Sequence, residues 1–141
     1  RTRTPGLAVG SLVCYEAAFS SKASELARLG ATVLTVQSEE GWFHHPAVAR
    51  EFGAMCSLRA LETGRFLIKA SNQGLSAIYD PAGRVIHEKI GHQSEVLPAS
   101  IRPISKPTFY TRFGHYLGWM GVFVWLFLLP FSLLKRSTKN I

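Results

Sequence analysis

Residues 116–134 read YLGWMGVFVWLFLLPFSLL, nineteen positions without a charged side chain. No other feature restricts the possible folds of this chain as strongly. As a helix such a run is roughly 28 Å long, close to the hydrocarbon thickness of a bilayer. Helices buried in soluble cores are usually shorter and carry a polar stripe. Tyr116, Trp119 and Trp125 suit the lipid–water interface, and Lys135 and Arg136 close the far end. Pro130 falls in the last turns, where a lipid-embedded helix tolerates a kink. The pattern predicts a transmembrane helix over residues 115–135, followed by a basic tail over 136–141. The hydrophobic fraction of 47% and the mean hydropathy of +0.11 owe much to this run.

The formal net charge of +7 does not point to nucleic acid. Arg1, Arg3, Lys135, Arg136 and Lys139 supply most of it from the two ends, and basic residues beside a span face anionic headgroups. No interior run interleaves Lys or Arg with aromatics, so nucleic acid is excluded as a partner. The two cysteines, Cys14 and Cys56, show no spacing that suggests a disulfide or a zinc site. The chain opens at Arg1 on a charged stub, as a piece cut from a longer polypeptide would, and any export signal is expected before residue 1. Within about fifteen residues of the span, Arg102, Lys106 and Arg112 balance Lys135, Arg136 and Lys139, so charge does not orient it.

The rest divides into a globular α/β piece, residues 1–101, and a linker, residues 102–114, in which Pro103 and Pro107 oppose helix. Residues 7–13 (LAVGSLV) predict a buried strand, and Ser20 or Ser21 is placed to cap a helix that ends before Gly30. Residues 31–36 (ATVLTV) predict a second strand, parallel to the first because a helix connects them. Pro46 opens a long helix that Gly64 ends, with Val48, Phe52, Met55, Leu58 and Leu61 as its apolar stripe. Strands over 66–70 and 75–79 flank Ser71-Asn72-Gln73-Gly74. Asp80-Pro81-Ala82-Gly83 fits a type I turn into a hairpin partner over 85–89. A last strand is expected over about 95–101.

Cys14 stands directly after the first strand and shortly before a helix. Strand C-termini open on the ligand-binding edge of α/β folds, and a nucleophile there can sit on a sharp turn with its sulfur above the sheet. From position alone a buried, inert cysteine is the stronger reading. Tyr15 divides between lining a pocket and ordinary packing. Trp42 and Phe43 read as core aromatics. His44-His45 lacks a third ligand, so no metal is expected. Cys56 reads as structural, and Arg59 and Glu62 are spaced to pair along the helix.

Taken in order, Val13-Cys14-Tyr15-Glu16, Trp42-Phe43, Leu58-Arg59-Ala60-Leu61-Glu62 and residues 66–83 (FLIKASNQGLSAIYDPAG), with the terminal span, resemble the carbon–nitrogen hydrolase (nitrilase) family in the form used by apolipoprotein N-acyltransferases. Glu39-Glu40 departs from the Asn-Asp pair more often found there. The resemblance implies the C-terminal half of a four-layer αββα sandwich, on the outer face of a bacterial inner membrane, with the tail cytoplasmic. It implies a Glu–Lys–Cys triad in which Cys14 is the nucleophile, with the other two members expected upstream of residue 1. Glu16 matches a supporting carboxylate. Tyr15, Trp42 and Phe43 then become candidates for substrate binding, the last two in a membrane-facing lid. The implied reaction moves an acyl chain from a phospholipid donor, through a Cys thioester, to the N-terminal amine of a diacylglyceryl apolipoprotein, with no cofactor. The alternatives are a membrane-tethered nitrilase-type amidase and a catalytically incomplete fragment or subunit that needs its N-terminal partner segment to fold. A papain-like Cys–His enzyme would need a histidine beside Cys14 in a matching motif, and none stands there.

Overall fold

The computed structural model describes residues 6–42, 45–91 and 96–137, and the side chains of these except 115, 117, 118 and 129–137. Two compact units result, residues 1–111 and 112–141.

The first unit is built on five strands, β1 (Val9–Val13), β2 (Val33–Glu39), β3 (Phe66–Asn72), β4 (Leu75–Tyr79) and β5 (Val85–Ile90), paired in chain order. β1, β2 and β3 are parallel, and β3–β4 and β4–β5 are antiparallel hairpins. The parallel pairs are connected by α1 (Ser20–Arg28) and α2 (Pro46–Thr63). The register puts Leu12, Val36, Lys69 and Ala77 in one row and Gly10, Leu34, Leu67 and Tyr79 in the next. Apart from Gly10, these residues with Phe52, Cys56 and Ala60 of α2 make the core between sheet and helices, Lys69 being the one buried cation among them. On the opposite face Val9, Ser11 and Val13 of β1 are exposed. The described residues of this unit thus form two layers, α1 and α2 on one side of a mixed sheet. The second sheet and second helix layer of the expected sandwich are not among them.

Helix ends follow their local chemistry. After α1, Gly30 takes φ 97 while the Gly30 amide donates to the Ala27 carbonyl and the Ala31 amide to that of Leu26, closing the last turn by a Schellman pattern. Gly64 does the same for α2 at φ 63. The expected serine cap on α1 is absent: Phe19 occupies the N-cap with no side-chain hydrogen bond, and Ser20 is already helical. At α2 the cap is His45, whose Nδ1 accepts from the Ala47 amide at 3.2 Å, with Pro46 in the first turn. The Asp80–Gly83 turn forms as expected, the Gly83 amide donating to the Asp80 carbonyl at 2.9 Å, and β4 carries a register shift beside it.

Three expectations change. The buried face of α2 is Ala49, Phe52, Gly53, Cys56, Ala60 and Thr63, whereas Val48, Met55, Leu58 and Leu61 are exposed. The reason is close approach to the sheet: a Cβ on Gly53 would lie 2.3 Å from the Leu75 side chain, so small residues face inward. No strand forms over 96–101, the described part of the last predicted strand, where Val96 is exposed and Pro98 cannot donate to a ladder. Helix α3 (Phe109–Ser137) begins inside the predicted linker, because Thr108 accepts the Thr111 amide at 3.0 Å and caps it.

In the second unit α3 continues as a helix of 29 residues in all. Among the described residues, no helix is long and apolar enough to cross a membrane. The span expected over 115–135 is therefore not met among the described residues. Trp119, Met120, Val122, Phe123, Val124, Trp125, Leu126 and Leu128 within it are exposed apolar side chains.

Candidate active site

The three parallel strands end on one edge, and the candidate residues gather there. β1 stops at Val13, and Cys14 turns the chain at φ 49, a left-handed conformation that non-glycine residues rarely adopt. Such backbone costs of order 1–3 kcal/mol and persists only where the surroundings impose it. The surroundings here are specific. Residues Cys14–Ala18 form a 3₁₀ turn, and the Glu16 carboxylate reaches back to accept the Val13 amide at 2.9 Å. At the other end of the turn, the Ala18 carbonyl accepts from Arg59 Nη1 at 2.8 Å. Arg59 is itself held by Glu62 through Nη2–Oε1 at 2.9 Å and Nε–Oε2 at 2.8 Å. The predicted Arg59–Glu62 pair exists, then, and α2 uses it to grip the turn that carries Cys14. The sulfur-bearing side chain is half-buried, and both cysteines are free thiols.

Strand β2 ends in Glu39 and Glu40, whose carboxylates go opposite ways. Glu39 is exposed and folds over its own loop, accepting from the Gly41 amide at 2.8 Å and from Asn72 Nδ2 at 2.5 Å. These bonds, the Gly41 amide first, hold its carboxyl below the ordinary value of 4.5. Its carbonyl accepts from Trp42 Nε1 at 2.9 Å, which fixes the indole at the loop tip. Glu40 points inward and is 2% exposed. Its Oε1 accepts from Lys69 Nζ and, at 2.6 Å, from Ser38 Oγ, while its Oε2 accepts the Leu75 amide at 3.1 Å.

β3 supplies the third side of the edge. Gln73 turns at φ 60 and Gly74 follows; a Cβ on Gly74 would lie 2.2 Å from Glu40 Oε2. The Asn72–Gly74 connection thus packs directly on the Glu40 carboxylate.

Between these elements and α2 lies a cavity of about 320 Å³ whose walls include Cys14, Tyr15, Glu40, Trp42, Phe52 and Met55. Tyr15 stacks on Phe52 with ring centroids 6.5 Å apart and planes 10° from parallel, and meets Phe19 edge-on at 5.9 Å. A half-buried thiol on a strained turn thus opens into an aromatic, mainly apolar chamber. That arrangement can hold a flexible apolar chain beside a nucleophile.

The structure brings Cys14, Tyr15 and Trp42 to one cavity, while Glu16 acts on the backbone of the turn and is not among the cavity's walls. Phe43 lies outside the described residues. Sequence reasoning missed the buried pair of Lys69 and Glu40. The burial of Lys69 alone left a trace, because it shares a strand face with Leu67, whereas its partner left none. Cys56, under the same pair, is sealed: burial pushes its thiol up to about 12. Among the described residues no group of three or more His, Cys, Asp or Glu is placed to hold a metal.

Comparison with known proteins follows the geometry. Residues 1–104 match the family described as carbon-nitrogen hydrolase. The chain is 32% identical over 116 residues to an apolipoprotein N-acyltransferase of Gloeobacter violaceus, covering 82% of this chain and 22% of that protein. It is 30% identical over 135 residues to an apolipoprotein N-acyltransferase of Azotobacter vinelandii, covering 96% of this chain and 25% of that protein. The chain therefore spans about a quarter of the length of these curated relatives. Among solved structures, a mutant amidase from a Nesterenkonia species, with acrylamide added at its active site cysteine, is similar at a TM-score of 0.56 and 23% identity, over 78% of this chain and 43% of that one. A carbon-nitrogen hydrolase from Helicobacter pylori is similar at a TM-score of 0.55 and 16% identity, over 61% of this chain and 37% of that one. These two likenesses concern the fold.

Proposed function

Since the chain belongs to the carbon–nitrogen hydrolase family, we propose that it is the nucleophile-bearing part of an acyltransferase that works at a membrane, with Cys14 carrying the acyl group. The observation that carries this reading is the placement of Cys14, on left-handed backbone at a strand end, in the wall of an aromatic cavity. Likeness to apolipoprotein N-acyltransferases over most of the chain supports the choice of substrates, a phospholipid donor and the N-terminal amine of a diacylglyceryl apolipoprotein.

Two displacements make up the reaction. The Cys14 sulfur, having given up its proton to a base, attacks the ester carbonyl carbon of the phospholipid. The ester C–O bond breaks, and the leaving oxygen takes a proton to become lysophospholipid. The apolipoprotein amine then attacks the thioester carbon, an amide forms, and the sulfur departs and is reprotonated. Splitting the transfer replaces one difficult step with two easier ones. The Glu base and the Lys that the family resemblance implies belong, in this proposal, to the remaining three quarters of the whole protein. Glu16 serves as a positioning residue: by holding the Val13 amide it keeps the turn from relaxing to extended backbone. Tyr15 and Trp42 contact the acyl chain. The exposed apolar side chains of α3 from Trp119 to Leu128 are solvated by lipid, since a patch of that kind is rarely left in water.

The test is to incubate the whole protein with phospholipid bearing a labelled acyl chain and map the adduct. The reading expects label on Cys14 that a lipopeptide amine discharges faster than water does. Label discharged equally fast by water alone would make the protein an amidase-type hydrolase. Label found elsewhere would end the assignment of Cys14.

A further inference from the structure

Behind the cavity, the buried ammonium of Lys69 faces one aromatic wall directly and is tied to the other through the backbone of its partner Glu40. On one side Lys69 Nζ sits 5.1 Å from the centroid of the Phe52 ring, on which Tyr15 stacks. On the other side it donates to Glu40 Oε1, one residue before the Gly41-Trp42 loop tip, and to the Leu75 carbonyl. The side chains of Lys69 and Glu40 are 0% and 1% exposed. A charge pair removed from water to this degree keeps its geometry, because either partner left alone would be a bare buried charge. The ammonium also favours one placement of the Phe52 ring, whose face attracts it.

We propose that Lys69 and Glu40 are specificity-setting positioning residues: their buried pair holds the Phe52–Tyr15 wall and the Trp42 wall at the separation that selects the length of the acyl chain bound beside Cys14. This rests on the acyl-transfer reading above. Neither group takes part in bond making. Lys69 acts through Phe52 and the Glu40 carboxylate, and Glu40 acts through the loop that begins at its own carbonyl. Gly74 belongs to the same device, because only a residue without a Cβ lets the β3–β4 connection close on Glu40.

The experiment uses the whole protein and an equimolar mixture of two phospholipids that differ only in acyl-chain length. Mass spectrometry reads the ratio of the two acyl adducts on Cys14, so a general loss of activity cancels. The informative variant is the double substitution Lys69→Met with Glu40→Gln, which removes both charges at similar volume and leaves no unpaired ion. A methylene more or less in a hydrophobic pocket of fixed shape is discriminated by about 10–200-fold, so once the walls are released the preference is expected to fall by at least about threefold toward equality. A pair that matters to stability alone would lower the melting temperature and leave the ratio where it was. That unchanged ratio overturns the proposal. Should the double variant yield too little folded protein, Lys69→Arg decides by the same ratio, since the wider guanidinium cannot reproduce the contacts to Phe52, Glu40 and Leu75 at once. Failure of the underlying reading looks different: the unmodified protein itself would then form no adduct on Cys14.

Discussion

The two edges of the sheet meet the same backbone requirement with different residues. Where β1, β2 and β3 begin and β4 ends, the described residues with left-handed backbone are all glycines, Gly6, Gly30, Gly64 and Gly83. At the opposite edge one glycine, Gly91 after β5, adopts it too, but there side chains also bear that conformation, at Cys14 and Gln73. Glycine adopts it freely, whereas a residue with a Cβ costs about 1–2 kcal/mol. The buried cations divide along the same line. Arg65, at the first edge, is fully buried and donates only to carbonyls, those of Ala31, Thr63, Ser105 and Lys106. Lys69, at the second, faces a carboxylate and a ring beside the cavity. One edge is relaxed and serves architecture. The other holds strain and paired charge beside the thiol proposed to carry the acyl group, and both are common at sites of function.

Breaking the architectural edge should have the largest effect on stability. Arg65→Ala leaves four carbonyls short of a donor, and at about 1–3 kcal/mol for each buried group left unsatisfied the loss should exceed about 3 kcal/mol. The denaturation midpoint of the whole protein measures it, and acylation of Cys14 in the fraction that stays folded should be unaltered. At the reactive edge the balance reverses. Glu16→Ala removes the acceptor of the Val13 amide at an exposed site, so stability should change by less than about 1 kcal/mol. Cys14 acylation should nevertheless slow by about tenfold through misplacement of the nucleophile. Glu16→Gln, which keeps an acceptor oxygen, should recover most of the rate; a rate that survives Glu16→Ala would detach this carboxylate from the site.

Gly30→Ala sharpens the comparison without altering a contact, since nothing lies within 4 Å of the added Cβ. A loss of about 1 kcal/mol is expected from backbone alone, with acylation unchanged. The smallest effect concerns Glu39. Its folded pKa is depressed, so its hold on the loop is complete above the ordinary value of 4.5 and drains away as pH falls from there through the folded value. Amide-exchange protection of the Gly41–Trp42 segment should drop only on that acid side, and Glu39→Gln should abolish the step. Loss of protection near neutral pH would assign the loop's order to something else.

How much of this was legible in the sequence depends on the range of the signal. Strands β1 to β5, helices α1 and α2, the glycine stops and the Asp80–Gly83 turn rest on neighbouring residues, and they could be read. Cys14 was legible as a strand-end thiol, whereas its place in the wall of a cavity was not. The inward face of α2 was not. Apolar periodicity favoured Val48, Met55, Leu58 and Leu61, while the sheet's proximity at Leu75 demanded Ala49, Gly53, Cys56 and Ala60, a constraint that only tertiary structure reveals. Lys69 with Glu40, and Arg65 with the carbonyls of Ala31, Ser105 and Lys106, join positions 29 to 41 residues apart, and local patterning carries no record of such partners.

The difference between the edges comes down to one position, and Cys14→Gly in the whole protein tests it most directly. Glycine removes both the strain and the sulfur. With labelled phospholipid as donor, the variant is expected to form no acyl adduct and transfer nothing, while melting at the temperature of the unmodified protein or above it. Transfer at the unmodified rate would contradict the account, because the left-handed turn would then be presenting a side chain that the reaction does not use.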